Sequence, residues 1–289
     1  MKVLVTGGTG FVGPRIVHAL RAQDRDVRVL VRSPERGAHA ASIGAELAIG
    51  DVTDPDSLAA AANGCSHVIH LVAILTGKPA TFDLVMTQGT RNLVDAARNA
   101  GVERFMLMSA LGSGDVPYYR AKSAMEQTVK ASGLDHVIFR PSFVFGHGGA
   151  LSTFVKQVKY SPIVTVIGPG VQRSQPIWID DVAAYFAASL ESSTVVGRTF
   201  EIGGPDVVTW NELYRDLART LGKKRALVHV PFGVARMGAR LTQSFPGAPL
   251  SADQVEMLAG PDNVVSNDDA LRTFNLPLVP LTEQLRRVA

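Results

Sequence analysis

Hydrophobic runs of strand length alternate with segments of helical periodicity through the first half of the chain. The apolar runs predict strands, at residues 2–6, 27–31, 46–49, 67–71, 104–108 and 136–139. The amphipathic segments between them predict helices, at residues 12–22, 34–43, 54–62, 82–100 and 117–132. Because strands and helices alternate, we expect an α/β fold with a doubly wound parallel sheet.

Residues that commonly cap helices stand at several of these boundaries. Asp54 precedes Pro55 and is expected to be a helix N-cap, and we expect the same of the Asp180-Asp181 pair. A glycine that can adopt the left-handed conformation follows other helical patterns, at Gly64, Gly101 and Gly133. These signals support the predicted helix ends.

The pattern changes after Gly146. Glycine–proline turns at residues 168–170 and 203–205 separate shorter elements, and the segments from Trp210 onward are mostly helical. We therefore predict a first domain of residues 1–145 and a smaller, mostly helical C-terminal region of residues 146–289. Residues 177–203 are expected to return to the sheet of the first domain. The second region is expected to pack on the first, close a cleft and bind the substrate.

A glycine-rich loop, Thr6-Gly7-Gly8-Thr9-Gly10-Phe11-Val12-Gly13, joins the first strand to the first helix. Its regularly spaced glycines suit a tight turn, a close backbone approach to pyrophosphate and close helix–strand packing. The helix that follows offers free N–H groups to phosphate. An ordinary glycine turn is the alternative, but the flanking strand and helix favour a Rossmann-type dinucleotide site. We expect cofactor contacts from Gly7, Thr9, Gly10, Phe11, Val12 and Gly13.

The residue after the second strand distinguishes the two nicotinamide dinucleotides. An acidic residue there binds the ribose 2′-hydroxyl of NAD, whereas arginine accommodates the 2′-phosphate of NADP. This chain has Arg32, so we expect NADP, with NAD less favoured; a surface arginine without a ligand is the alternative. Asp51 follows the third strand, where it either accepts a hydrogen bond from the adenine amine or caps the turn before Asp54.

Composition and charge narrow the class of protein. With 46% hydrophobic and 19% charged residues, the chain is typical of globular proteins. The single cysteine, Cys65, excludes an intramolecular disulfide, and we predict no metal site. The formal charge of +3 comes from scattered basic residues, which favours small anionic ligands and disfavours nucleic acid. No run reaches the ~18 apolar residues of a membrane span, so we expect a cytoplasmic protein.

Tyr118 and Lys122 stand four residues apart near the start of a predicted helix, so their side chains share one face. A nearby ammonium stabilises a phenolate, and we therefore expect Lys122 to lower the pKa of Tyr118 toward neutrality. A tyrosine in that state can act as a general acid or base. Tyr119 with Lys122 also fits helical spacing, and a solvated surface pair is a further alternative.

The chain resembles the short-chain dehydrogenase/reductase superfamily, in the extended and atypical branches that include NAD-dependent epimerases and dehydratases. Short motifs carry the resemblance over nearly the whole chain: the glycine-rich loop, Gly50-Asp51-Val52, His70-Leu71-Val72-Ala73, Gly89-Thr90-Arg91-Asn92-Leu93, Met108-Ser109-Ala110, Tyr118 with Lys122, Arg140-Pro141 and Asp180-Asp181-Val182. Ser109-Ala110-Leu111-Gly112, with its short gap to Tyr118, is most similar to bacterial relatives of the nucleotide-binding accessory subunit of respiratory complex I.

The resemblance implies that Ser109, Tyr118 and Lys122 are catalytic. In the family the tyrosine exchanges a proton with the substrate oxygen, the lysine also binds the nicotinamide ribose, and the serine holds the carbonyl. The segments after several strands are implied to contact the cofactor, through Asp51, Val52, Leu71, Val72, Ala73, Pro141, Ser142 and Phe143. His70 lies at the start of one of them, and we interpret it as a core histidine with satisfied hydrogen bonds.

These residues favour an oxidoreductase that transfers hydride between NADPH and a carbonyl or secondary alcohol, with Tyr118 as general acid or base. The alternative is a nucleotide-binding structural or assembly protein without turnover. Sugar-nucleotide epimerase or dehydratase activity is less favoured, because the loop of residues 111–117 is shorter than in the usual extended enzymes.

We expect a small-molecule substrate that is apolar or weakly polar, and either a monomer or a homodimer. Residues 228–245 form a basic amphipathic pattern that ends at Phe245. This segment is interpreted as a lid over the substrate cleft, with docking to a membrane or a protein partner less favoured.

Overall fold

A computed structural model of the chain describes residues 1–112, 114–242 and 250–289. The strands are, in chain order, β1 (Lys2–Thr6), β2 (Asp26–Val31), β3 (Glu46–Ile49), β4 (His67–His70), β5 (Arg104–Met108), β6 (Asp135–Pro141), β7 (Val144–Phe145), β8 (Ile163–Ile167), β9 (Arg173–Ser174), β10 (Ile177–Trp178), β11 (Arg198–Ile202), β12 (Val208–Thr209) and β13 (Ala226–Val230). A seven-stranded sheet in the order β11-β6-β5-β4-β1-β2-β3 forms the centre of the fold. Every neighbouring pair in it is parallel.

Helices cover both faces of this sheet and make up most of the C-terminal part of the chain. They are α1 (Gly13–Arg21), α2 (Pro34–Ser42), α3 (Pro55–Ala62), α4 (Pro79–Phe82), α5 (Gly89–Asn99), α6 (Pro117–Lys130), α7 (Ala150–Tyr160), α8 (Ile179–Ala188), α9 (Trp210–Thr220), α10 (Phe232–Thr242), α11 (Ala252–Ala259), α12 (Asp268–Phe274) and α13 (Leu281–Val288). A π-helical segment, Asp83–Gln88, joins α4 to α5, and Ser193–Val195 is a short 3₁₀ turn. The predicted doubly wound α/β fold is confirmed.

Side chains on the central strands alternate between two hydrophobic cores, one on each face of the sheet. On β1, Val3 and Val5 belong to one core and Leu4 to the other; on β5, Met106 and Phe105 divide in the same way. This division follows from the two-residue repeat of a strand. Because both faces are covered, these strands are nearly continuous apolar runs, which made them recognisable in the sequence.

Several predicted caps are confirmed. Asp54 is the N-cap of α3 and accepts a hydrogen bond from the backbone N–H of Asp56 at 3.2 Å. Gly64, Gly101 and Gly133 have φ angles of 73°, 72° and 77°, in the left-handed region that favours glycine.

The predicted cap at Asp180-Asp181 is wrong. Trp178 is the N-cap of α8, and both aspartates lie in its first turn, where acidic side chains are also favourable. Asp180 accepts a hydrogen bond from Trp178 Nε1, whereas the buried carboxylate of Asp181 accepts the backbone N–H of Val279 at 2.9 Å. Asp181 therefore anchors the C-terminal segment to the rest of the fold.

The helix predicted at residues 82–100 contains a π-helical segment that its periodicity did not indicate. The Thr90 hydroxyl donates to the carbonyl oxygen of Met86 at 2.6 Å, a side-chain contact that often bends helices. Gly89 follows the segment and packs closely on Val52, because a Cβ at position 89 would lie 2.9 Å from Val52 Cγ2. The missing side chain of Gly89 thus lets the helix approach the turn after β3.

The short pairings β7–β10, β9–β12 and β8–β13 were not predicted, since two-residue strands carry no period-two pattern. β11 joins the central sheet beside β6. The proposed division into residues 1–145 and 146–289 stays a prediction. Among the residues that the structure describes, no helix is both long and apolar enough to cross a membrane.

Candidate active site

The glycine-rich loop packs tightly against the end of β4 and the start of α1. Gly7 has a φ of +76°, and a Cβ there would lie 3.0 Å from the backbone of Leu71 and Val72. A Cβ at Gly13 would lie 2.3 Å from the carbonyl oxygen of Gly7. These positions require glycine, because backbone atoms cannot move aside as a flexible side chain can.

The N-terminus of α1 is open to a ligand. Its N-cap, Val12, has no side-chain hydrogen bond, and no acidic residue lies in the first turn. Pro14 has no N–H, and Arg15 donates its backbone N–H to the carbonyl oxygen of Val12 at 3.1 Å. The first-turn N–H that remains for a phosphate is therefore that of Gly13. Phe11 extends from the loop to Gly149, where a Cβ would lie 2.3 Å from the Phe11 ring, so the loop also contacts the second half of the chain.

A cavity of about 90 Å³ lies beside the loop, lined by Gly8 and Thr9 and, from α2, by Arg36 and His39. Arg32 is exposed directly after β2. The structure thus places two further basic residues near the loop that the sequence analysis missed. Arg36 and His39 stand three residues apart on α2, and this helical spacing was the sequence signal that could have placed them on one face.

Asp51 is engaged in a local turn. Its Oδ1 accepts hydrogen bonds from the Thr53 backbone N–H at 2.9 Å and the Thr53 hydroxyl at 2.8 Å. This geometry favours the capping alternative, and an adenine contact stays a prediction. Val52 is buried, and its carbonyl oxygen accepts a hydrogen bond from Asn92 Nδ2 at 3.0 Å.

His70 is a fully buried histidine with two side-chain partners. Its Nδ1 lies 2.6 Å from the Thr6 hydroxyl and its Nε2 lies 3.0 Å from the Thr90 hydroxyl. Because Thr90 donates its hydrogen to Met86, His70 Nε2 is the donor to Thr90, and Nδ1 accepts from Thr6. Burial, with a smaller effect of Lys122, lowers the pKa of His70 to about 3, so the ring is neutral. The interpretation as a satisfied core histidine is confirmed.

The other predicted cofactor contacts of β4 follow His70 directly. Leu71 is buried, Val72 is half-buried and Ala73 is exposed at the carboxyl end of the sheet. Their contact with a cofactor stays a prediction.

Lys122 is buried at the carboxyl end of β5. Its Nζ donates a hydrogen bond to the carbonyl oxygen of Met108 at 2.7 Å and lies 5.8 Å from the centre of the Tyr118 ring. Burial lowers the pKa of Lys122 to about 7, although the charge of Glu126 acts in the opposite direction. The structure therefore brings Tyr118 and Lys122 together with a lysine that titrates near neutral pH.

The expected lowering of the Tyr118 pKa is wrong for the ligand-free protein. Burial raises the pKa of Tyr118 above its usual value, and the neighbouring Tyr119 adds to this effect. The sequence indicated the spacing of Tyr118 and Lys122, but not how far both groups are removed from water. Tyr118 is consequently protonated at neutral pH.

Ser109 follows β5 and is buried. Its hydroxyl is close to the Glu126 carboxylate, whose pKa it helps to lower, and no other hydrogen-bond partner for it is seen among the described residues. Its contact with a substrate stays a prediction.

Glu126 is a buried acidic residue that two basic side chains contact. Arg140 donates to it through Nε at 2.8 Å and through a terminal nitrogen at 2.7 Å, and Lys130 Nζ lies 3.3 Å away. Burial raises the pKa of Glu126, but the hydrogen bonds from Arg140 outweigh this effect and lower it overall. Glu126 is therefore a buried carboxylate, one helical turn from Lys122.

The segment after β6 is largely occupied by internal contacts. Pro141 and Ser142 are buried, and the Ser142 hydroxyl donates to the carbonyl oxygen of Gln175. The Phe143 ring meets Trp210 edge-on, with ring centres 5.5 Å apart. Cofactor contacts from Pro141, Ser142 and Phe143 stay predictions.

A larger cavity, of about 370 Å³, lies between the two halves of the chain. Gly112 and Tyr119 line one side, and Met257 and Pro261 line the other. Tyr119 connects the cavity to the Tyr118–Lys122 pair: it lines the cavity, and its ring centre is 5.5 Å from that of Tyr118, which itself is not a lining residue. Its volume is within the range of about 300–1,000 Å³ that is typical of small-ligand pockets.

Residues 7–193 match a family model described as NAD(P)H-binding. The chain is 30% identical to a ceramide reductase of Caulobacter vibrioides over 82% of its length and 76% of that protein. It is 28% identical to mitochondrial NADH dehydrogenase [ubiquinone] 1 alpha subcomplex subunit 9 of Arabidopsis thaliana, over 96% of the chain and 73% of the relative. The triphenylmethane reductase of a Citrobacter species, solved with NADP(H), has a similar fold, with a TM-score of 0.81, 19% identity and full coverage of both chains.

Proposed function

The chain belongs to the NAD(P)H-binding family within the short-chain dehydrogenase/reductase superfamily, and from this we propose that it is an NADPH-dependent carbonyl reductase. The observation that carries the proposal is the buried Lys122, whose Nζ is held at the end of β5 by Met108 and lies 5.8 Å from the Tyr118 ring. A solvated surface pair would not bury the lysine. The arrangement supports proton transfer by Tyr118 beside the dinucleotide loop.

The loop fits a dinucleotide, because a Cβ at Gly13 would meet the backbone of Gly7 and Gly8, so only glycine lets α1 begin this close to the turn. We propose that Arg32, together with Arg36 beside the loop, binds the 2′-phosphate of NADP. Two guanidinium groups favour a phosphate over the free hydroxyl of NAD, so NAD is the less favoured cofactor.

The bound nicotinamide supplies the hydride. Tyr118 donates the phenolic proton to the substrate oxygen, while the Lys122 ammonium stabilises the phenolate that forms. Ser109 is proposed to hold the carbonyl through its hydroxyl, which is buried at the end of β5. Tyr118 is protonated at neutral pH, which is the form that a general acid requires.

NADPH consumption with a panel of uncharged aldehydes and ketones tests this function. Tyr118→Phe should lower kcat/KM by at least ~100-fold, the usual effect of losing a general acid. Tyr160→Phe, which changes an exposed tyrosine at the end of α7, should leave it unchanged. A loss in Tyr119→Phe but not in Tyr118→Phe would assign the proton to Tyr119. Equal turnover by Tyr118→Phe and the unmodified protein would contradict the proposal.

A second candidate is a nucleotide-binding assembly protein without turnover. One side of α10 supports it, since Val234, Met237 and Leu241 expose 52%, 60% and 72% of their surface. Such an apolar stripe fits a partner surface as well as a lid. The 228–245 pattern continues to Phe245, which lies outside the described residues. NADPH binding without turnover of any carbonyl compound would favour this candidate.

A further inference from the structure

Both sides of the cavity of about 370 Å³ contain apolar and acidic residues. Tyr119, Val116, Met257 and Pro261 provide aromatic, aliphatic and thioether surface. Such a lining favours the burial of an apolar ligand, by ~25 cal/mol for each Å² removed from water.

Three carboxylates also line the cavity, and each is already paired with an arginine. Asp262 lies 2.7 Å from Arg173 Nε, and Glu256 lies 2.6 Å from Arg236 Nε. Asp115 pairs with Arg120 in the same way. Because each carboxylate is paired with an arginine, the pairs offer little attraction to a cationic substrate and no unpaired positive charge to an anionic one.

The C-terminal end of α11 adds to the unfavourable environment for anions. Glu256, Met257 and Gly260 line the cavity, and they belong to the last turn of this helix and its C-cap. The carbonyl groups at a helix C-terminus carry partial negative charge. The described lining residues include no lysine, arginine or histidine, and Ser113 and residues 243–249 have none in their sequence.

We infer that this cavity is the substrate chamber and that it takes an uncharged, largely apolar carbonyl compound without a phosphate or carboxylate group. The inference rests on the proposed reductase function, since it places the carbonyl beside Tyr118. A nucleoside diphosphate sugar does not fit, because its pyrophosphate would meet carboxylates and helix carbonyls.

The test compares ligands of one shape and different charge. Methyl 4-formylbenzoate is neutral, 4-formylbenzoate is an anion and 4-(trimethylammonio)benzaldehyde is a cation. Dissociation constants are measured by ligand-observed NMR on the Tyr118→Phe protein saturated with NADP⁺, so that binding is measured without turnover. The kcat/KM of each aldehyde is measured separately on the unmodified protein. The ester should bind at least ~10-fold more tightly than either ion.

Removing the wall charges should change this preference. Asp262→Asn combined with Glu256→Gln keeps the hydrogen-bond acceptors but frees Arg173 and Arg236, so binding of 4-formylbenzoate should improve ~10-fold relative to the ester. The matched control is Asp216→Asn, which changes an aspartate paired with Arg219 on α9, outside the cavity lining. Its anion-to-ester ratio should equal that of the unmodified protein, and Tm values show that all variants are folded.

The two proposals can fail separately. A preference for the ester without turnover of any aldehyde would support the chamber and contradict the reductase function. Equal binding of anion and ester by the unmodified protein would overturn the chamber assignment even if aldehydes are reduced. An unchanged anion-to-ester ratio in the folded double variant would also overturn it.

Discussion

Glu126 lies one turn of α6 beyond Lys122, and both buried side chains are on the same side of the helix. The carboxylate of Glu126 raises the pKa of Lys122, in opposition to burial, and Arg140 holds that carboxylate from β6. The other titratable groups near Lys122 are Tyr118 and His70, which are both neutral at pH 7. Glu126 is therefore a negative charge that favours the ammonium form of Lys122.

Carbonyl reduction should slow as pH rises through about 7, because the proposed mechanism needs the Lys122 ammonium and the pKa of Lys122 is about 7. In Glu126→Gln the supporting charge is lost, so the midpoint should move to lower pH. The kcat/KM profile from pH 5 to 9 measures this shift. Glu46→Gln is the control, because Glu46 lies on β3 and pairs with Lys2 and Arg28 of the neighbouring part of the sheet. Identical profiles for Glu126→Gln and the unmodified protein would show that Glu126 does not act on Lys122.

Arg32→Asp should reverse the cofactor preference, because an acidic residue repels the 2′-phosphate and bonds the 2′-hydroxyl instead. NADPH should bind at least ~10-fold more weakly, in line with the 1.5–3 kcal/mol of a hydrogen bond to a charged group. Arg36→Ala should weaken NADPH binding and leave NADH binding nearly unchanged. Fluorescence titration with both cofactors measures these effects, with the exposed Arg98→Ala as control. Tighter NADH than NADPH binding by the unmodified protein would contradict the cofactor choice.

Gly13→Ala should abolish cofactor binding and lower Tm, since its methyl group would lie 2.3 Å from the carbonyl oxygen of Gly7. Gly233→Ala is the matched control, because a Cβ there meets no atom within 4 Å. Alanine is also the better helix former by ~1 kcal/mol, so the control should keep or raise Tm. Normal NADPH affinity in Gly13→Ala would mean that cofactor binding does not depend on the tight packing of α1 against the loop.

Asp181→Asn should stabilise the fold at neutral pH. Burial raises the pKa of Asp181 to about 6, from 3.8, so its ionisation is unfavourable in the folded state. A group with a raised pKa contributes stability that is present below its unfolded pKa and lost as pH rises through the folded value. The asparagine keeps an acceptor for the Val279 N–H.

The gain from Asp181→Asn should therefore be absent at pH 3.5, appear between pH 4 and 6 and reach up to ~3 kcal/mol at pH 7. Chemical denaturation at these pH values measures it. Asp216→Asn, at a more exposed aspartate, should show no such dependence. A gain in Asp181→Asn that does not vary with pH would exclude ionisation as its cause.

The sequence was sufficient to predict the parts of this protein that depend on local pattern. The strands of the central sheet are apolar runs, and the glycine-rich loop has spacing that few other structures require. The Asp54 cap follows in the same way from a residue and its neighbour. These features need no knowledge of distant residues.

The rest of the site depends on what the fold buries. The raised pKa of Tyr118 and the lowered pKa of Lys122 are set by desolvation, which their four-residue spacing does not reveal. Arg36 lies near the loop only because α2 packs beside it, and Asp181 meets Val279 across many residues of sequence. Tertiary contacts of this kind cannot be derived from periodicity.

The edge strand β11 is synthesised well after β6, the strand with which it pairs. β6 ends at Pro141, but its outer neighbour is complete only at Ile202, so β6, an interior strand of the finished sheet, is an edge strand of the nascent sheet until then. At ~5–20 residues per second this interval lasts roughly 3–12 s. An unpaired edge is a template for pairing with another chain. The nascent protein is therefore vulnerable to aggregation through β6 until β11 has left the ribosome, and chaperones would protect it during this interval.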